Sequence, residues 1–187
     1  TFVSKNIDSI SSLIRINKDN GISEIFQISK DDKKTLILEN DELYKYLKSK
    51  SESNSTPEQD QKDLKRLLNS GIEAIRLEKE KIHYLLWLDS ERCCSFFADL
   101  VLICEGPTEK RFIDYMIHTD WYDDFSEKKV YIIECGGKYQ IHKFINLFDL
   151  LGIKHSVLYD HDNGESKNKY INRFIDSCIK DHTINID

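Results

Sequence analysis

Near the start of the chain, two short runs rich in apolar residues, Leu13-Ile14-Arg15-Ile16-Asn17 and Ile22-Ser23-Glu24-Ile25-Phe26-Gln27-Ile28, flank Asp19-Asn20-Gly21. Two such runs joined by Asn-Gly predict a β-hairpin, because that dipeptide accepts the positive φ of a tight turn. Residues 40–48 have the spacing of one short helix. Ser49 to Thr56 has no apolar residue and is rich in Ser, Asn and Lys, so with no burial to offset its ordering entropy it is expected to be a linker or mobile loop. Thr56-Pro57-Glu58-Gln59 then supplies an N-cap hydroxyl, a proline at the first helical position and a glutamine at the third, which together signal a helix start. Leu64, Leu68, Ile72, Ile75, Ile82 and Leu86 recur mostly at three- and four-residue steps, predicting a long amphipathic helix to about Trp87, with a break point at Asn69-Ser70-Gly71. On pattern alone this helix is either an internal packing strut or a dimerisation helix.

From Ser90 the pattern changes. A short helix over Glu91 to Phe97 leads into Asp99-Leu100-Val101-Leu102-Ile103-Cys104, a run of strand length that is apolar after its first residue and is expected to be buried on both faces. Pro107 to His118 reads as a helix, Val130 to Ile133 as a strand, Tyr139 to Leu151 as a helix closed by Gly152, and His155 to Tyr159 as a strand. Residues 166–181 form a further helix, and Thr183 to Ile186 opens a fourth strand. The order β-α-β-α-β predicts an α/β fold: a small parallel sheet flanked by helices, preceded by a β-hairpin and a long helical segment. Chemistry in such a sheet belongs at the carboxyl ends of its strands.

Composition narrows the function. The 187 residues are 40% apolar and 32% charged, enough burial to exclude wholesale disorder. No apolar stretch approaches the roughly 20 residues that span a bilayer, so no membrane partner is expected. A formal charge of −6 argues against a module that grips nucleic acid through its own charge; contact with DNA or RNA needs metal ions or basic segments elsewhere. Five cysteines without a C-x-x-C pair make a zinc site or a disulfide framework a poor reading. Cys104, Cys135 and Cys178 lie in or beside apolar runs and are expected to be reduced small hydrophobes, which points to the cytoplasm. The chain begins with threonine and has no signal segment, so it is expected to be cut from a longer protein.

Two predicted strand ends carry acids. The first strand runs into Glu105-Gly106-Pro107-Thr108-Glu109-Lys110 and the third into Asp160-His161-Asp162-Asn163-Gly164-Glu165. In a parallel sheet both loops emerge on one edge, which lets Glu105, Asp160 and Asp162 converge. Three unpaired carboxylates repel one another unless protons or a divalent cation neutralise them. Hard oxygen donors, with no cysteine and no paired histidines, favour Mg²⁺ or Mn²⁺ over zinc. Asp160 and Asp162 alternate along an extended segment, so the turn at Asn163-Gly164 has to swing the second inward. Glu105 and Asp162 are also readable as loop acids beside turn-forming glycines, and Glu109 as one exposed member of a helix face. His161 is expected to turn outward between its aspartate neighbours, and His83, His118, His142, His155 and His182 show no metal-ligand pairing.

These blocks together, Phe97-Ala98-Asp99-Leu100-Val101-Leu102-Ile103-Cys104-Glu105-Gly106-Pro107-Thr108-Glu109-Lys110, then Glu134-Cys135-Gly136-Gly137-Lys138, then Val157-Leu158-Tyr159-Asp160-His161-Asp162, resemble the Toprim domain of OLD-family (overcoming lysogenisation defect) endonucleases. That family joins an ABC-type ATPase to a Toprim nuclease, as in the Gabija antiphage system and some retron-associated effectors. The resemblance implies metal-dependent DNA cleavage in antiviral defence. Glu105 corresponds to the Toprim glutamate, Glu109 to the second acid, and Asp160 and Asp162 to the Asp-x-Asp pair, the four holding two Mg²⁺ or Mn²⁺ ions. Gly136 and Gly137 would let backbone approach closely, and Lys138 would either touch a phosphate or, the favoured reading, merely start a helix.

By the same resemblance residues 1–48 correspond to the end of the ATPase domain, 49–89 to a linker and long helix, and 90–187 to a C-terminally incomplete Toprim domain. A further acid and a lysine of that domain would fall beyond Asp187. No G-x-x-x-x-G-K-[ST] loop occurs in these residues, so ATP would bind only to a part of the protein outside them. The implied partners are DNA and further copies of the chain or a larger defence complex. A noncatalytic Toprim-like assembly module, and a haloacid-dehalogenase-type phosphatase using Asp160 as nucleophile, are the competing readings.

Overall fold

A computed structural model describes residues 14–19, 21–39, 41–69, 92–162 and 166–181. The expected helix beyond residue 69 and the expected strand at 183–186 lie outside the described residues.

The hairpin forms as the runs flanking Asn20-Gly21 predict. Strands β1 (Ile14–Asp19) and β2 (Ile22–Gln27) pair antiparallel from Ile14 opposite Gln27 to Asp19 opposite Ile22, and Gly21 takes the turn at φ +85°. One face of the hairpin is bound to the body of the protein: the Arg15 guanidinium donates to the carbonyls of Leu151 (3.2 Å) and Gly152 (2.7 Å). Gly152 adopts φ +59°, and a Cβ there would collide with the Phe26 ring, so both the turn and the contact require glycine.

Helix α1 (Lys30–Glu39) was not expected, although its start is written in the sequence. Ser29 and Asp32 form a reciprocal cap: the Ser29 N–H donates to Asp32 Oδ2 (2.9 Å) and the Asp32 N–H to Ser29 Oγ (3.0 Å). Helix α2 spans Glu42–Glu52, which corrects the first half of the expected loop at Ser49 to Thr56; Ser53 to Thr56 lie in the turn that follows, as expected. Ser49 and Ser51 donate to the carbonyls of Tyr46 (2.7 Å) and Lys48 (2.8 Å), so their hydroxyls bond helix carbonyls instead of opening a loop. Helix α3 covers residues 58–69 and starts where the Thr-Pro pair predicts. Its Gln59 reaches forward to Asp63 (3.3 Å). Gln61 is the residue that reaches back, to the carbonyls of Ser53 (3.0 Å) and Thr56 (2.9 Å).

A 3₁₀ turn (Arg92–Phe97) precedes β3 (Leu100–Cys104), α4 (Pro107–His118), the short α5 (Tyr122–Phe125), β4 (Val130–Glu134), α6 (Ile141–Leu150), β5 (His155–Leu158) and α7 (Ser166–Asp181). The sheet is parallel in the order β4-β3-β5, so β3, expected to be buried on both faces, is its central strand. Helices cover both faces. On one face Ile113 of α4 packs on Cys104 and Ile132, with Ile117 and Trp121 beside them. On the other, α6 is buried along Ile141 to Phe148 between the sheet and a layer that includes Leu43 and Leu47 of α2, Leu64 and Leu68 of α3, and Ile171 and Ile175 of α7. Tyr170 also bonds Asp60 (2.9 Å), tying α7 to α3. Residues on both sides of positions 48 and 90 therefore share one core. No helix among the described residues is long and apolar enough to cross a membrane.

A shared core predicts shared cooperativity. Leu64 is completely buried, so Leu64→Ala is expected to cost about 2–5 kcal/mol and to lower the single urea-unfolding midpoint of the whole chain. Two separate transitions, only one of them shifted, would show that α2 and α3 fold independently of the sheet.

Candidate functional site

The three strand ends meet at Glu105. This residue follows central β3, and its backbone is held from both sides: its N–H donates to Leu158 O (3.2 Å), and its carbonyl accepts from Gly137 N–H (2.9 Å). Beside it, the chain leaving β4 turns sharply through Gly136 and Gly137, with φ +75° and +120°. Nothing lies within 4 Å of where a Cβ would stand at either position, so backbone conformation, not crowding, demands glycine there. The turn aims the next residue, Lys138, back across the carboxyl edge of the sheet.

Lys138 is the residue on which the acids converge; it opens a 3₁₀ turn, Lys138–Gln140, as a helix start would, but its side chain is not idle there. Its side chain is 4% exposed. The ammonium donates to the Asp160 carbonyl and to Asp162 Oδ2 (2.9 Å), and lies 3.9 Å from Glu105 Oε2. The Asp160 N–H also points at Glu105 Oε2, at 3.4 Å. The carboxylates are thus not unpaired: a built-in cation stands between Glu105 and Asp162. Alternation along the segment is broken by Asp162 itself, whose φ of +42° is left-handed; the expected turn at Asn163-Gly164 lies outside the described residues. Such a φ is tolerated by aspartate better than by most residues.

One lysine does not cancel three carboxylates. Burial pushes the Glu105 carboxyl above its ordinary range. Lys138 and the Asp160 N–H pull it down, and Asp162 and Asp160 push it up again. The net shift is upward, the behaviour of a partly desolvated acid in an electronegative site.

The surrounding residues brace this arrangement. His161 is exposed, as expected, with its ring stacked on Tyr159 at 5.7 Å. The Tyr159 hydroxyl donates to Asp176 of α7 (2.6 Å), and burial and that carboxylate raise its pKa. Asn172 of α7 donates to the His161 carbonyl (2.7 Å). Helix α7 therefore holds the Asp160–Asp162 segment from behind, a role that the sequence does not signal. Glu109 is placed differently from the other acids: its carboxylate accepts the Gly106 N–H (3.1 Å) and caps α4. Cys104 and Cys135 are fully buried, and burial pushes their thiols up to about 11 and about 12. Both stay protonated at neutral pH, the inert behaviour expected of them.

The donor chemistry is that of a hard divalent cation, but the arrangement is not. Among the described residues no three His, Cys, Asp or Glu side chains are grouped to hold a metal ion, and the Lys138 ammonium stands between two of the carboxylates. Residues 96–162 match the family described as overcoming lysogenization defect protein-like, TOPRIM domain. That segment contains Glu105, Glu109, Lys138, Asp160 and Asp162, and is similar to an OLD-like TOPRIM domain. Such a domain indicates metal-dependent chemistry on nucleic acid, of the nuclease or primase type. No curated protein matches the chain.

The raised Glu105 pKa has a stability consequence of definite sign. The folded state holds this proton more tightly than the unfolded state, so the contribution is greatest at acid pH and is lost as pH rises from the ordinary glutamate range through the folded value. Glu105→Gln, which stays neutral throughout, is expected to melt at a higher temperature than the wild type at about pH 7.5, with the two converging at about pH 4. Thermal melts at both pH values check this; a variant less stable at the higher pH would contradict it.

Proposed function

Taking the OLD-like TOPRIM domain as premise, we propose that this chain is the nuclease module of an ATPase–nuclease that hydrolyses DNA phosphodiesters with Mg²⁺ or Mn²⁺, in antiviral defence. The observation that carries the reading is the meeting of Glu105, Asp160 and Asp162 at the carboxyl edge of one parallel sheet, within the segment that matches the family. Charge supports the cation requirement. Three carboxylates and one ammonium leave the edge anionic, and the chain as a whole carries −6, so a phosphodiester gains no attraction from the protein alone. Glu105 and Asp160 are the residues expected to be indispensable, Glu105 because it is partly desolvated at the centre of the edge, Asp160 because it is exposed there. Glu109 supports the site through the start of α4, and Gly136 and Gly137 through the turn that directs Lys138. The ATP-binding part and the partner copies or defence complex lie, in this reading, in other segments or chains.

A noncatalytic assembly role is favoured by a different observation. Ile14, Ile16 and Ile25 stand exposed on the hairpin face turned away from Arg15 and Phe26, a surface suited to contact with other protein.

Plasmid cleavage separates these readings. The full-length protein is expected to nick supercoiled DNA in Mg²⁺ or Mn²⁺, to lose this in EDTA, and to lose about 100-fold or more in rate on Glu105→Ala or Asp160→Ala with circular dichroism unchanged. Aryl-phosphate hydrolysis that survives Glu105→Ala would favour the phosphatase. Absence of both activities in folded protein would leave the assembly role.

A further inference from the structure

We propose that Lys138 is an internal counter-cation that closes the carboxylate edge, and that a divalent cation enters only by displacing its ammonium from Asp162 and Glu105. This deepens the nuclease reading and rests on it. The structural case begins with cost. A lysine that only started a helix would extend into water, since burying an ammonium is unfavourable without charged or polar partners. Lys138 is instead 4% exposed, and its partners belong to segments beyond two other strands: the carbonyl of Asp160, Asp162 Oδ2 at 2.9 Å and Glu105 Oε2 at 3.9 Å.

These are the oxygens that a hard cation would seek. A divalent ion approaching them meets a like charge within hydrogen-bonding distance of one carboxylate and within 4 Å of another, and the two cations repel. One must leave. The contact is built to open on the Asp162 side, where the carboxylate is half exposed and the backbone holds a left-handed φ that aspartate adopts only locally. The ammonium already lies 5.7 Å from the Tyr159 ring centroid, whose hydroxyl is fixed by Asp176, so this cation–π contact can persist when the ion pair opens.

Two measurements test this. In the wild-type chain, Lys138 is expected to resist an amine-acetylating reagent without metal and to become labelled when Mn²⁺ is added, as read by peptide mass spectrometry with exposed lysines such as Lys62 as the reference. Mn²⁺ titration followed by electron paramagnetic resonance is expected to show Lys138→Met binding about tenfold more tightly than wild type, with Lys138→Arg close to wild type. Mn²⁺ bound by the wild type with Lys138 labelling unchanged, or weaker binding by a folded Lys138→Met, would overturn the displacement and leave the nuclease reading standing. No Mn²⁺ binding by either protein would overturn both. The labelling arm needs no variant, so the proposal is decided even where Lys138→Met does not fold.

Discussion

The ion-paired ammonium of Lys138 is the constraint around which the functional edge of this protein is arranged. Parallel pairing of β3 with β4 and β5 brings three carboxylates to one edge whatever else the chain does. Unit charges of one sign about 4 Å apart cost on the order of 4 kcal/mol at an effective dielectric of about 20, a large part of a typical domain's stability of about 5–15 kcal/mol. A positive charge at that edge offsets part of such repulsion. Lys138 supplies it from the turn after β4, and in doing so ties the end of β4 to the segment leaving β5, across Glu105.

That solution depends on elements far from the charges. The left-handed Gly136-Gly137 turn directs the lysine, and the buried helix α6 that follows anchors it. Helix α7 fixes the other partner through Asn172 and, by way of Tyr159, through Asp176. Behind α6 lie α2 and α3, so the N-terminal segments belong to the support of the site as well as to the core. The hairpin closes this support with the Arg15 bonds to the end of α6 and the fit of Phe26 against Gly152. Rigidity at the edge thus comes from packing that extends well beyond the matched segment.

Much of this was legible in the linear pattern. The hairpin, the central position of β3, and helices α4 and α7 follow from period, branched apolar runs and helix-start residues, all of which act over a few neighbouring positions. The same local logic failed at residues 49–52, where serine hydroxyls bond helix carbonyls and composition alone suggested a loop. It overlooked α1, although Ser29 and Asp32 spell out the cap. The acids at the ends of β3 and β5 were found because parallel topology sends both strand ends to one edge.

The sequence by itself determined which residues carry charge, which strands are buried on both faces and which loops share an edge, because those properties are set by side-chain chemistry and short-range periodicity. Only the tertiary structure decided that Lys138 turns inward while Glu109 caps its own helix, that Asp162 reaches the lysine through a left-handed backbone, and that α7 braces the loop. Except for the Glu109 cap, which is local, these depend on distances between residues remote in sequence: Lys138 lies 24 positions from Asp162, and Glu105 lies 55 from Asp160. Electrostatic energy depends on separation in space and on burial, and neither is written in the order of the residues.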